Sequence, residues 1–246
     1  MPFDGLFINY LGGVNDVGDV AGTSKDASFS TPDRAFLDIN QVEFLNLTPD
    51  VGGRATDVNN FGELSGYAAS GGFAAFRWDE AGGLQFLGSL GLTHSFANAI
   101  NDSGEVVGEA LSATGNTSKP WIYTDGLGMQ QIPAPVTQSS AATGINNLGN
   151  VVGTTKVTGP DLAWLWTGGV AISDLDDLFD PVAENLTTIA AHDINDVGQI
   201  LALGFDNSAS EFRTVVLTPL PEPGQLLVLN AGIGLLALIR RRRIMP

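Results

Sequence analysis

The chain has 246 residues, a formal net charge of −16 from 27 Asp and Glu against 11 Lys and Arg, and no cysteine. The charge balance offers no basic footprint for nucleic acid, and the lack of thiols excludes disulfides, thiolate metal sites and a cysteine nucleophile. Hydrophobic content of 43% with 15% charged residues fits a folded β-rich domain rather than disorder.

Met1-Pro2-Phe3-Asp4-Gly5 carries neither the basic region nor the apolar segment of an export signal, so a misplaced or truncated start is the expected reading, with export by another route as the alternative. Residues 6–13, Leu-Phe-Ile-Asn-Tyr-Leu-Gly-Gly, read as a strand comparable with Gln85-Phe86-Leu87-Gly88. From there a pattern, [Val/Ile]-Asn-[Asp/Asn]-x-Gly-x-[Val/Leu/Ile], occurs five times, with its asparagine at Asn15, Asn59, Asn101, Asn146 and Asn195. The intervals are 44, 42, 45 and 49 residues, and the turn glycines are Gly18, Gly62, Gly104, Gly149 and Gly198. A second glycine follows at Gly22, Gly66, Gly108 and Gly153, with Ala202 in the fifth copy.

A second signature follows each turn: Ala35-Phe36-Leu37-Asp38, Ala75-Phe76-Arg77-Trp78, Pro120-Trp121-Ile122-Tyr123, Ala163-Trp164-Leu165-Trp166 and Glu211-Phe212-Arg213-Thr214. Each repeat reads as strand, Asn turn, strand, loop, strand, turn, strand. Four short strands at a period near 45 residues predict an all-β fold, a β-propeller of about five four-stranded blades over residues 1–218. Residues 6–13 are expected to complete the last blade and close the ring; a truncated copy of a larger ring would show the same boundaries. The repeat resembles the HAF family of extracellular bacterial repeats, named for a His-Ala-Phe tripeptide, over residues 12–218. The Ala-Phe stands as Ala35-Phe36 and Ala75-Phe76, but Arg34, Ala74, Lys119 and Leu162 occupy the histidine's place, so no role of that histidine transfers.

Several groups invite a chemical reading. The loops Asp57-x-Asn59-Asn60-x-Gly62 and Asp193-x-Asn195-Asp196-x-Gly198 suggest calcium, the one cofactor worth considering. Phe61 and Val197 fall where an oxygen ligand is needed, however, and Asx-bonded hairpin turns with positive-φ glycines are preferred. Asp174, Asp176, Asp177 and Asp180 are expected to form a solvated acidic loop, with weak cation binding as the alternative. The paired aromatics Phe76/Trp78, Trp121/Tyr123 and Trp164/Trp166 each share a strand face. Packing between blades is preferred for them, with Trp121 and Trp166 the candidates for stacking on a glycan. His94 and His192, the only histidines, lack a partner motif. Carboxylates meeting at the ring centre as a glycosidase pair would be the enzymatic alternative; a non-enzyme is expected.

The tail, residues 219–246, reads differently. Pro221-Glu222-Pro223 precedes an uncharged segment, 224–239, and then Arg240, Arg241, Arg242 and Arg243. At 1.5 Å per residue the segment spans roughly 24 Å, slightly short of the ~30 Å hydrocarbon core, and snorkelling arginines cover the difference for a C-terminal hydrophobic helix. The alternative, a buried terminal helix, is disfavoured by the four arginines that follow. Clustered arginine marks the cytoplasmic side and puts the repeats across the membrane. Without the tail's four Arg and one Glu, 7 basic and 26 acidic residues remain. These elements resemble the PEP-CTERM sorting signal of Gram-negative bacteria, which implies an exosortase as partner, cleavage of the tail, and an exopolysaccharide-rich cell surface or matrix as destination. The expected function is therefore an exported, non-enzymatic repeat protein, transiently anchored in the inner membrane; the alternative is a carbohydrate-binding or carbohydrate-cleaving propeller.

Overall fold

Runs of β-branched and aromatic residues between Gly- and Asn-bearing turns form consecutive antiparallel strands. The computed structural model describes residues 6–26, 33–39, 43–46, 52–69, 71–133, 139–169, 173–178 and 185–219. The first sheet holds β1 (Leu6–Val14), β2 (Val20–Asp26), β3 (Arg34–Ile39) and β4 (Glu43–Asn46), paired in that order. The second holds β5 (Gly53–Val58), β6 (Leu64–Ala69), β7 (Phe73–Asp79) and β8 (Gly83–Gly88). The third holds β9 (His94–Ile100), β10 (Val106–Leu111), β11 (Ser118–Thr124) and β12 (Gly128–Gln131). The fourth holds β13 (Ser140–Ile145), β14 (Val151–Thr155), β15 (Leu162–Trp166) and the two-residue β16 (Ser173–Asp174), and a 3₁₀ turn (Leu175–Leu178) follows. The fifth has three described strands: β17 (Leu186–Ile194), β18 (Ile200–Asp206) and β19 (Glu211–Leu217).

The fold is all-β, built from up-and-down sheets of a propeller-like kind. Among the described residues no helix is long and apolar enough to cross a membrane. The expected helix over 224–239 lies outside them, as does Asp180.

Each sheet packs on its sequence neighbour. The first strand of one sheet lies against the first three strands of the sheet before it, in the series β1, β5, β9, β13, β17. Among the described residues no comparable packing joins the fifth sheet to the first. Between successive sheets lie apolar layers, filled by Leu37 and Phe76, then Trp121, then Trp164, then Leu175 with Leu186.

Two expectations need correction. Residues 6–13 do not complete the last sheet: β1 pairs with β2, Leu11 opposite Gly22 and Val14 opposite Val20. The counterpart of β1 is β9, which also leads into an Asn turn. A tight turn delivers β1 onto β2 at little loop-closure cost, whereas closure across the whole chain fixes a far longer loop. The fifth aromatic signature is also displaced. In the first four sheets a glycine faces a fully buried aromatic ring across the strand pair: Gly22–Phe36, Gly66–Phe76, Gly108–Trp121 and Gly153–Trp164. The match is steric, since a Cβ on Gly108 would sit 2.0 Å from the Phe96 carbonyl oxygen and 2.8 Å from the Trp121 ring. In the fifth sheet Ala202 faces Val215, a smaller ring-free side chain, and the glycine becomes unnecessary. Phe212 sits three residues earlier, opposite Phe205, and is 66% exposed.

Candidate functional site

The five Asn turns stand side by side on one face. Within each, the glycine N–H donates to the asparagine carbonyl and the asparagine N–H to the carbonyl four residues on, as from Asn101 to Glu105 at 3.0 Å. Gly104 has φ of 71°, the left-handed conformation such a turn requires and glycine supplies without strain. The asparagine side chain closes the turn. Asn101 Oδ1 accepts from the N–H of Ser103 and of Glu105, each at 3.0 Å.

The same side chains join the sheets. The amide of Asn15 donates to the Asn59 carbonyl, Asn59 to Asn101, Asn101 to Asn146 and Asn146 to Asn195, at 2.9 to 3.1 Å. Asn59, Asn101 and Asn146 are buried. Buried and fully bonded, they hold the turn face rigid, since leaving any of these groups unpaired costs about 1–3 kcal/mol. Asn59 has both side-chain atoms committed to protein partners, and Asp57 likewise accepts two backbone N–H groups, so turn bonding explains these oxygens without a cation. Among the described residues no cluster of three metal-ligating side chains is present.

A second stitch lies one step along the first strands. Thr56, Asn98 and Thr143 each fall at a register shift in the ladder. Each reaches the next sheet: Thr56 Oγ1 donates to the Ala97 carbonyl, Asn98 Nδ2 to Ala142 and Thr143 Oγ1 to Ala191, at 2.8 to 2.9 Å. The bulge aims one side chain sideways, out of the sheet's own alternation. His192, at the matching shift in β17, is exposed instead.

Next to these stitches stand two carboxylates. Asp57 Oδ1 accepts from Val58 N–H at 2.9 Å and Oδ2 from Ile100 N–H of the neighbouring sheet at 3.0 Å. Burial nevertheless dominates and pushes its carboxyl up to about 6, the charge of Asp193 adding to the rise. Loss of solvation raises the Asp193 carboxyl in the same direction, although its side chain still reaches solvent; among the described residues only Ile194 N–H donates to it. The neighbours make room: a Cβ on Gly13 would meet Asp57 Oδ1 at 2.3 Å and one on Gly144 would meet Asp193 Oδ1 at 3.0 Å. Both oxygens of Asp57 are thus occupied, Oδ1 within its own strand and Oδ2 in holding the second sheet to the third.

The remaining sequence candidates separate cleanly. Trp121 is 0% exposed, wedged between sheets with its indole N–H unpaired, so it cannot stack on a glycan; the apolar layer between sheets claims it. Trp166 is half-buried and donates Nε1–H to the Gly169 carbonyl at 3.2 Å. Asp174 and Asp176 are local fasteners: Asp174 Oδ1 accepts Asp176 N–H, and Asp176 Oδ1 accepts the N–H and hydroxyl of Thr188 on β17. His94 Nδ1 accepts Phe73 N–H at 3.1 Å. Pro221, Glu222, Pro223 and Arg240 to Arg243 lie outside the described residues.

On the opposite rim the structure assembles a groove that the repeat signatures do not reveal. Tyr67, Phe73 and Phe96 meet there, with Tyr67–Phe96 centroids 4.7 Å and Phe73–Phe96 centroids 5.4 Å apart, beside Arg54 bonded to Asp33 at 2.9 Å. Phe73 is 46% exposed. These residues come from separate strands of the second and third sheets and the loop before β3, so no local spacing announces them. Phe73, directly after Gly71-Gly72 at a hairpin tip, is the one hint in the sequence.

No family model and no curated protein matches the chain. Among solved structures it is similar to TolB from Acinetobacter baumannii, at 14% identity and a TM-score of 0.50, over 68% of this chain and 43% of that one. The chain therefore spans less than half the length of that structure. At this identity the likeness is one of fold, a β-propeller.

Proposed function

We propose that this chain is an exported, non-enzymatic β-propeller repeat protein of the bacterial cell surface or exopolysaccharide matrix, its five sheets acting as blades. The observation that carries the reading is the succession of three sequence elements at the tail, Pro221-Glu222-Pro223, the uncharged segment 224–239 and Arg240 to Arg243. In this reading an exosortase recognises the tail while 224–239 spans the inner membrane as a helix with its C-terminus in the cytoplasm, then releases the repeats by cleavage. The turn face supports a scaffold role, because its asparagines are spent on joining sheets. Expression in a Gram-negative host with and without an exosortase tests the idea. A shortened protein in the matrix fraction only with the enzyme is the expected result; full-length protein in the cytoplasm of both strains overturns it.

A second reading, carbohydrate binding, is favoured by the groove of Tyr67, Phe73 and Phe96 beside Arg54. Aromatic faces and edges pack on the apolar faces of sugar rings while a guanidinium bonds hydroxyls or carboxylates. Binding to a polysaccharide panel that is lost in Phe73→Ala supports this reading, and an empty panel removes it.

A further inference from the structure

The residue after each turn asparagine alternates strictly along the arc: Asp16, Asn60, Asp102, Asn147, Asp196. The hydrogen bonds show what the alternation does. Each backbone N–H of this row donates to the side-chain Oδ1 of the next member: Asp16 to Asn60, Asn60 to Asp102, Asp102 to Asn147 and Asn147 to Asp196, at 2.7 to 2.9 Å. The second side-chain atoms form a parallel row. Asn60 Nδ2 bridges Asp16 Oδ2 and Asp102 Oδ2 at 3.0 and 3.1 Å, and Asn147 Nδ2 bridges Asp102 Oδ2 and Asp196 Oδ2, both at 2.9 Å. An amide contributes two donors and a carboxylate only acceptors, so amide must alternate with carboxylate for every contact to be attractive.

Both ends of this row are aspartates, and both are incomplete. Among the described residues the N–H of Asp196 has no acceptor, and the Asn195 amide bonds only its own turn at Gln199. Asp16 takes the Asn60 amide on Oδ2, while among the described residues no N–H reaches its Oδ1. Closing the five sheets on themselves would set Asp196 Oδ2 against Asp16 Oδ2, acceptor against acceptor and charge against charge. Head-to-tail contact between two copies would create the same clash.

We propose that the two rims, Asp16 at one end and Asn195-Asp196 at the other, are an interaction surface for one further repeat unit of the same kind carrying asparagine at the alternating position. Its N–H and amide would fill Asp16 Oδ1 and Oδ2, and its own Oδ1 and amide would serve Asp196 N–H and Oδ2. The surface discriminates by chemistry: a unit with aspartate there fits the shape but repels both rims. The proposal rests on the propeller reading only for the side-by-side placement of the sheets.

Two measurements test it. The chain has no native cysteine, so Val17→Cys with Val197→Cys gives one reporter pair on the exposed turns, which would stand side by side if the ends met. Under mild oxidation the full chain is expected to remain monomeric without an internal disulfide; rapid internal cross-linking overturns the proposal. In the second measurement, a copy of residues 139–184 is placed ahead of residue 6, once with its ladder asparagine and once with that asparagine replaced by aspartate. The asparagine form is expected to melt several degrees higher and to scatter as a more compact particle. Coincident melting of the two forms overturns the pairing rule.

Discussion

The third and fifth sheets are built from the same repeat and end in different conditions. The third has a neighbour on each side, four strands, and Trp121 sealed between layers. Its turn amide bonds both its own loop and the next. Among the described residues the fifth has a neighbour on one side and three strands, with Leu201 and Phe212 exposed and its turn amide bonded only within its own loop. A single repeat is therefore half an interface. Its large side chains and its turn asparagine gain their value from the adjoining unit.

Substitutions can break this contrast. Trp121→Ala should destabilise by about 3–5 kcal/mol in urea titration, whereas Phe212→Ala should stay below about 0.5 kcal/mol; similar losses would contradict the comparison. Gly108→Ala drives a Cβ into a backbone carbonyl and should cost about 3 kcal/mol, while Ala202→Gly should cost only about 0.5–1 kcal/mol through chain entropy. Asn101→Ala leaves buried partners unpaired on two sheets and should lose about 2–3 kcal/mol in the same titration. Asn195→Ala, solvated and bonded only within its turn, should lose about 1 kcal/mol.

A smaller effect separates Asp57 from Asp193. Asp57 in the folded state titrates at about 6 against 3.8 unassisted. Its protonated form is favoured by folding, so this group's contribution is full below about pH 4 and is lost as pH rises through about 6. Partial solvent access limits the effect to about 1–2 kcal/mol. Thermal melts from pH 4 to 7 should therefore show a flatter decline in Asp57→Asn than in the native chain, with a lesser change in Asp193→Asn. An unchanged slope in Asp57→Asn would remove the burial argument.

Much of this architecture is legible in the chain. The Asn-Asp-x-Gly turns and the glycine facing each aromatic carry their own local chemistry, and all five turns form where the pattern puts them. The parts that were hidden depend on neighbours. Val215 takes the place of an aromatic ring opposite Ala202, and a β-branched residue in a strand has no signature of its own. Thr56, Asn98 and Thr143 look like ordinary polar strand residues until a register shift turns them toward the next sheet. The strand at β1 has the composition of a closing strand, and only the short Asn15 turn decides its partner. The groove at Phe73 gathers side chains from separate strands and a loop, so no spacing within one repeat encodes it.

The serial packing of the sheets also sets how disturbance travels. Among the described residues the extensive packing joins each unit to those before and after it, so the molecule approximates a one-dimensional lattice thermodynamically, and a defect is felt most by adjacent units and fades beyond them. Opening begins at the ends, where one coupling must be broken, and reaches the middle last, where two must. Such a chain tolerates sequence drift at its margins while its central units stay ordered.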